Sequence, residues 1–312
     1  MRDLINVICV LLAAVQAGCF DFKSVSQVEE FRVLGVTAEP PEIRPGEGVR
    51  LEALWADPEG DGRTVAFAWI GCAGLLKAPM GLESCEMLLP PQVGTAEEEG
   101  DVLEIPFTPE DLLSYAPEGM TYMKATFILL MCAGGELPEA DEYETIGAVT
   151  DISTLCEGGD GLSAYKTVVI SESDDPQRNP EIETLTADDE ELLPADQGGL
   201  GTARCTKADG CGAEIKISLN LTQESFQTFE KVKNGETTTV PERLFVSWFV
   251  TDGDVETPSL GSETDDPTGP IENTWSPENP GIHTLYAAAH DSRGGVSWKI
   301  YKVKVDTFSE QK

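Results

Sequence analysis

The sequence predicts an all-β fold, two tandem antiparallel β-sandwiches behind an N-terminal leader, and three observations carry that expectation. Short segments alternate apolar with polar residues, Val49-Arg50-Leu51-Glu52-Ala53-Leu54 and Ile215-Lys216-Ile217-Ser218-Leu219 being the clearest, and this is the period of half-buried strands. Turn formers separate them, as in Pro45-Gly46-Glu47-Gly48, Asp57-Pro58-Glu59-Gly60-Asp61-Gly62 and Asp291-Ser292-Arg293-Gly294-Gly295. The third is an internal repeat. Residues 33–45 and 182–194 align without a gap, with Thr37-Ala38 opposite Thr186-Ala187 and Pro45 opposite Pro194. No sustained helical period appears, and the one helical turn expected covers residues 109–115, with Thr108 as its cap.

The leader comes first. The chain opens Met1-Arg2-Asp3, runs apolar from Leu4 to Val15 apart from Asn6, and reaches Gln16-Ala17-Gly18-Cys19. A weakly positive start, about a dozen apolar residues and small residues at the end are the parts of a secretory signal, here residues 1–18. A spanning helix needs about 20 apolar residues. Ala17-Gly18-Cys19 resembles the lipobox of bacterial lipoproteins, whose cysteine becomes the lipidated N-terminus after cleavage. Gln16 stands where that family has an aliphatic residue, which leaves an ordinary signal-peptidase cut after Ala17 as the other reading. The resemblance implies lipid attachment at Cys19 and the membrane as a partner through that lipid. Phe20, rather than Asp, after the cysteine implies the outer membrane, on its periplasmic or cell-surface face. Residues 125–133, the longest later uncharged apolar stretch, are about half of a span and read as a buried strand.

A tether over residues 19–30 leads into the first module, residues 31–172. Its strands include the run Val-Ala-Phe-Ala-Trp-Ile ending at Ile70, the apolar stretch from Tyr122, and a β-rich close at 163–171. Long excursions at 90–101 and 136–161 interrupt it, and loops of that length are commonly functional or mobile. The polar, proline-bounded stretch 173–180 reads as a linker. The second module, 181–306, repeats the order: Leu-Phe-Val-Ser-Trp-Phe-Val through Trp248, then His283-Thr284-Leu285-Tyr286, then 296–305. It inserts residues 195–212 before its first long strand, and a tail, 307–312, follows. Each module resembles the immunoglobulin-like sandwiches of bacterial surface proteins, near the PKD and cadherin-like varieties. The residues that carry the likeness are Ala38-Glu39-Pro40-Pro41-Glu42-Ile43-Arg44-Pro45-Gly46, the Asp57-to-Asp61 turn before the tryptophan strand, and the Asp291-to-Gly295 hairpin. The whole chain is similar to multi-domain lipoproteins of Gram-negative bacteria. A fold of this kind does not fix a function.

Cysteine usage fits an exported chain. With Cys9 in the leader and Cys19 lipidated, six cysteines remain: Cys72, Cys85, Cys132, Cys156, Cys205 and Cys211. An even number favours disulfides, and proximity favours Cys205–Cys211, then Cys72–Cys85 and Cys132–Cys156. Cys72–Cys132 is a rival, because both end apolar strands with the same Cys-Ala-Gly. No Cys-x-x-Cys occurs and no histidine lies near any of them, so a zinc site has little support.

The remaining chemistry is sparse. A formal net charge of −35 repels phosphate backbones, which excludes a nucleic-acid partner. Asp57, Glu59 and Asp61 alternate in a glycine-rich loop, as oxygen ligands for Ca²⁺ can, but Ala68 stands where an EF-hand needs glutamate, and a solvated turn explains the same residues. His283 and His290 lie seven apart on one strand, hence on opposite faces, and cannot share a metal. The runs Glu97-Glu98-Glu99 and Asp188-Asp189-Glu190-Glu191 read as solvated charge. Trp69 and Trp248 are expected in the cores, while Trp55, Trp275 and Trp298 are open. Exposure of Trp275 and Trp298 on one face would make a sugar-stacking site. No nucleophile, metalloprotease or nucleotide fingerprint is present. The expectation is a non-catalytic binding or scaffolding protein of the cell envelope, without cofactor, engaging a protein or glycan partner. The alternative is a calcium-stabilised adhesin or carbohydrate-binding surface protein.

Overall fold

The structure is a computed structural model and describes residues 24–58, 60, 62–73, 87–88, 90–96, 105–107, 122–144, 152–207, 210–233, 236–262 and 268–308. The leader, Cys19, Glu59, Asp61, Cys85, the Glu97-Glu98-Glu99 run and the helical turn expected at 109–115 lie outside these residues.

Among the described residues the chain is built from strands and short 3-10 turns. In the first half these are β1 (Arg32–Glu39), β2 (Glu42–Ile43), β3 (Val49–Ala56), β4 (Val65–Ala73), β5 (Gln92–Ala96), β6 (Ile105–Phe107), β7 (Tyr122–Ala133) and β8 (Asp160–Ser171). They form two sheets, β1-β3-β6 and β2-β8-β7-β4-β5, antiparallel except where β2 runs parallel to β8. The alternation of β3 turns Val49, Leu51, Ala53 and Trp55 inward, onto Trp69, Phe127 and Leu129 of the facing sheet. Strand β7 is apolar from Phe127 to Ala133 because both faces are covered there, the condition under which strands lose their alternation. Its outer side, Ile128 and Leu130, packs with Ala68, Ile70 and Cys72 beneath Tyr143, Leu137 and Leu155. Residues 136–144 and 152–156 of the 136–161 excursion therefore form a lid on the outer face of this sheet, held down by the Cys132–Cys156 disulfide.

The second half repeats the plan with β9 (Ile182–Ala187), β10 (Glu190–Leu192), β11 (Gly201–Arg204), β12 (Ile215–Leu221), β13 (Thr228–Lys233), β14 (Glu236–Pro241), β15 (Leu244–Val250), β16 (Asp254–Val255), β17 (Ser259–Gly261), β18 (Ile271–Ser276), β19 (Gly281–Asp291) and β20 (Val296–Asp306). Its sheets are β10-β9-β12-β18-β16 and β11-β20-β19-β15-β17, with β13-β14 as a separate hairpin. One core joins them, from Leu185, Ile217 and Leu219 across to Val246, Trp248 and Leu285. The orders β1-β3-β6 and β9-β12-β18 correspond, as do β8-β7-β4-β5 and β20-β19-β15-β17. The sequence repeat therefore occupies equivalent first strands.

Several segments read as loops have structure. Within 90–101, β5 closes an edge of the larger sheet in register with β4. Within 195–212, β11 pairs in parallel with β20, where β2 pairs with β8 in the first half. Both β5 and β11 are short edge strands, held mainly by their backbone bonds. Asp188 and Asp189, the start of an acidic run, both have positive φ, 48° and 68°, and form the two-residue turn between β9 and β10. The 24–30 stretch, expected as a tether, lies along the second half: the Val28 amide donates to the Val250 carbonyl at 2.8 Å, and the Val250 amide to the Ser26 carbonyl at 2.9 Å.

Candidate functional site

The two sandwiches meet in an interface whose apolar part follows from a bulge. Between Val33 and Gly35 the β1–β3 register shifts, so Leu34 faces away from its own core. Leu34, Leu54, Ala56 and Val28 pack with Tyr286, Phe249, Trp298 and Ile300 of the second sandwich. The Trp298 ring lies against Gly35, where a Cβ would stand 3.5 Å from it.

Polar bonds continue the seam. Asn179 donates to the Ala38 carbonyl at 2.7 Å and accepts from the Val296 amide at 2.9 Å. The Gln177 amide donates to Glu42 Oε2 at 2.7 Å, and its side chain donates to Asp291 at 2.8 Å. Residues 173–180 thus bond to both sandwiches, because their buried polar groups need partners. At the N-terminal end, Ser24 and Ser26 donate to Asp254 Oδ1 at 2.5 and 2.6 Å. Burial alone would raise the Asp254 carboxyl, but these hydroxyls and the Val255 amide hold it below its ordinary value.

Beside this seam runs a groove of about 690 Å³, walled by residues 32–36 of β1, residues 162–167 of β8, and His290, Arg293, Gly294 and Val296 of the second sandwich. Its charged lining is Arg32, Lys124, Lys166 and Arg293, with no carboxylate. A second hollow of about 930 Å³ shares Lys124 and Arg293 and adds Glu42, Glu172 and Glu230. Lys166 is buried and donates to the Gly294 carbonyl at 2.6 Å. Burial lowers its ammonium to about 8, with Asp291 and Glu39 opposing. Arg32 donates to the Val25 carbonyl at 2.9 Å and lies 5.3 Å over the Phe249 ring. Arg293 pairs with Glu242 and sits 5.4 Å over Phe229, which fastens the β13–β14 hairpin to the seam. Lys124 has neither hydrogen bond nor ion pair among the described residues. His290 stacks on Phe245 with 4.9 Å between centroids, and burial, followed by the Lys166 charge, lowers its imidazole to about 4.

The residues singled out from sequence are dispersed. Asp57 is buried, and Arg63 grips its carboxylate from Nε and Nη2 at 2.6 and 2.8 Å. That ion pair engages the first of the three calcium candidates, and Glu59 and Asp61 lie outside the described residues. Among the described residues no group of three His, Cys, Asp or Glu side chains could hold a metal ion. Cys132 bonds Cys156, and Cys205 bonds Cys211. The rival Cys72–Cys132 pairing fails, since Cys72 stands opposite Thr126 while Cys132 stands opposite Ala66. Cys72 is disulfide-bonded too.

His283 and His290 lie on opposite faces of β19. His283 donates from Nε2 to the Asn279 carbonyl, 2.8 Å away, and stands edge-on to Trp275, while His290 faces the groove. Trp69, Trp248, Trp275 and Trp55 are all buried. The sugar-stacking surface is overturned: Trp275 is 0% exposed in the second core, and Trp298 packs in the seam. The groove itself was missed, because its cations come from positions 32, 124, 166 and 293 and form no run. The available signal was a lysine at the start of the apolar strand β7 and another in the middle of β8.

No protein-family model matches the chain, and no curated protein matches it. Solved structures show distant likeness. The dimeric latent PorU of Porphyromonas gingivalis shares 10% identity at a TM-score of 0.24, over 90% of this chain and 24% of that one. A 1.5-MDa bacterial ice-binding adhesin, in a structure concerned with host cell surface retention, shares 7% at a TM-score of 0.22, over 90% and 65%. The Yersinia pseudotuberculosis adhesin InvE shares 11% at a TM-score of 0.23, over 86% and 58%. The chain thus spans less than two thirds of the length of each of these chains.

Proposed function

We propose that this is an exported envelope protein, anchored through lipid on Cys19, whose two joined sandwiches bind a partner without transforming it. The observation that carries the binding role is the groove at the seam, where four cationic side chains and no carboxylate line one concavity of a chain with net charge −35. Concave, largely preformed sites of this kind favour recognition. The anchor rests on the leader and the Ala17-Gly18-Cys19 resemblance, and two acyl chains suffice for stable attachment. The outer membrane is the proposed site.

Fractionation and mass spectrometry of wild type beside Cys19→Ala test the anchor. The expected result is an acylated N-terminal peptide and a membrane pool that the substitution abolishes. A soluble wild type beginning at Gly18 overturns it.

A further inference from the structure

The groove is bounded on one side by an unpaired stretch of the β8 edge. Strand β2 pairs with only Val169 and Ile170 of β8, whereas in the second sandwich β11 covers four residues of β20. The Val169 amide turns outward, donating to the Pro41 carbonyl at 3.1 Å. Peptide groups along a strand turn to alternate sides. Thr167, Tyr165 and Ser163 therefore present their N–H and C=O on that same outward side, away from β7. Among the described residues no strand pairs with them there. All three line the groove, and β1, itself an edge strand, forms the opposite wall.

The charge lining this edge runs against the composition of the chain. Arg32 and Lys166 are hydrogen-bonded to carbonyl oxygens rather than carboxylates, and Lys124 projects into both hollows.

The geometry points to this groove as a strand-addition site for an extended acidic peptide segment of a partner protein. The inference rests on the binding role proposed above and is independent of the anchor. Main-chain bonds to Ser163, Tyr165 and Thr167 supply the pairing, and the three cations select acidic side chains. The uncovered stretch, residues 162–167, matches a strand of five or six residues, about 17–20 Å.

The test titrates the full chain with a labelled ten-residue peptide alternating Val or Thr with Asp or Glu. Control peptides carry lysine for the acids or proline at alternate positions. Saturable binding of the acidic peptide alone is expected, with slowed amide exchange at Ser163, Tyr165 and Thr167. Thr167→Pro removes an outward donor that β7 does not use, and it weakens binding by about tenfold. Lys124→Glu weakens it by a similar factor. Equal binding of the proline peptide, or affinity unchanged in both variants, overturns the inference. Inorganic phosphate or a polyuronate binding in the groove without amide protection defeats strand addition alone. Binding by none of these probes defeats the groove's binding role as well.

Discussion

Lys166 of the first sandwich donates to the Gly294 carbonyl of the second at 2.6 Å from a buried position, so one ammonium joins the two bodies at a cost in hydration. Its value falls from 10.5 to about 8, and the unfolded chain holds the proton more tightly than the fold does. Stability contributed by this group therefore rises as pH climbs from about 8 to 10.5, by up to about 3 kcal/mol. Urea titrations of wild type and Lys166→Met at pH 7.5 and 10 should show a gain with pH that the variant lacks.

His290 has the opposite experimental window. With its imidazole at about 4 in the fold and about 6.5 unfolded, it is neutral in the native state. The unfolded chain binds the extra proton between those values, so stability is present above pH 6.5 and declines as pH falls toward 4. His290→Phe keeps the stack on Phe245 and should flatten that decline, as read by denaturant melts at pH 7 and 4.5.

Arg63→Met removes the guanidinium that pairs with the Asp57 carboxylate, which is 4% exposed. The substitution should destabilise the protein by about 3–5 kcal/mol. Because the carboxylate answers to an arginine rather than a metal, melting temperature should not move when calcium or EDTA is added to wild type.

The Cys132–Cys156 and Cys205–Cys211 disulfides should differ in weight. The first pair is separated by 24 positions and the second by 6, so chain-entropy arguments assign about 3.5 and 2.2 kcal/mol. Serine pairs at each position, compared by urea midpoint, check that ranking. Loss of the first should also raise proteolysis near Tyr143, since that bond holds the lid.

Joined sandwiches should unfold together. Leu34→Asp places a charge among Tyr286, Phe249 and Trp298, and calorimetry should then resolve two transitions where wild type gives one.

The strands of the cores were legible because burial on one face writes itself into alternation, as in β3 and β12. Edge strands β5 and β11 were not, since backbone bonds hold them without demanding a pattern. The groove was illegible for a related reason. Lys124 and Lys166 look like ordinary surface lysines until the second sandwich packs against Leu34 at the β1 bulge and its residues 290–296 complete the groove. Asp57 carried a visible carboxylate pattern, but its partner six residues later turned it into a structural ion pair.

The docking of residues 24–28 on Val250 and Asp254 decides how mechanical force enters the molecule. A pull on the chain ahead of Ser24 loads the second sandwich before it reaches β1, and the two amide bonds between residues 26–28 and Val250 bear it in shear. Tension would thus be shared by both bodies from the outset rather than unravelling the first in sequence order.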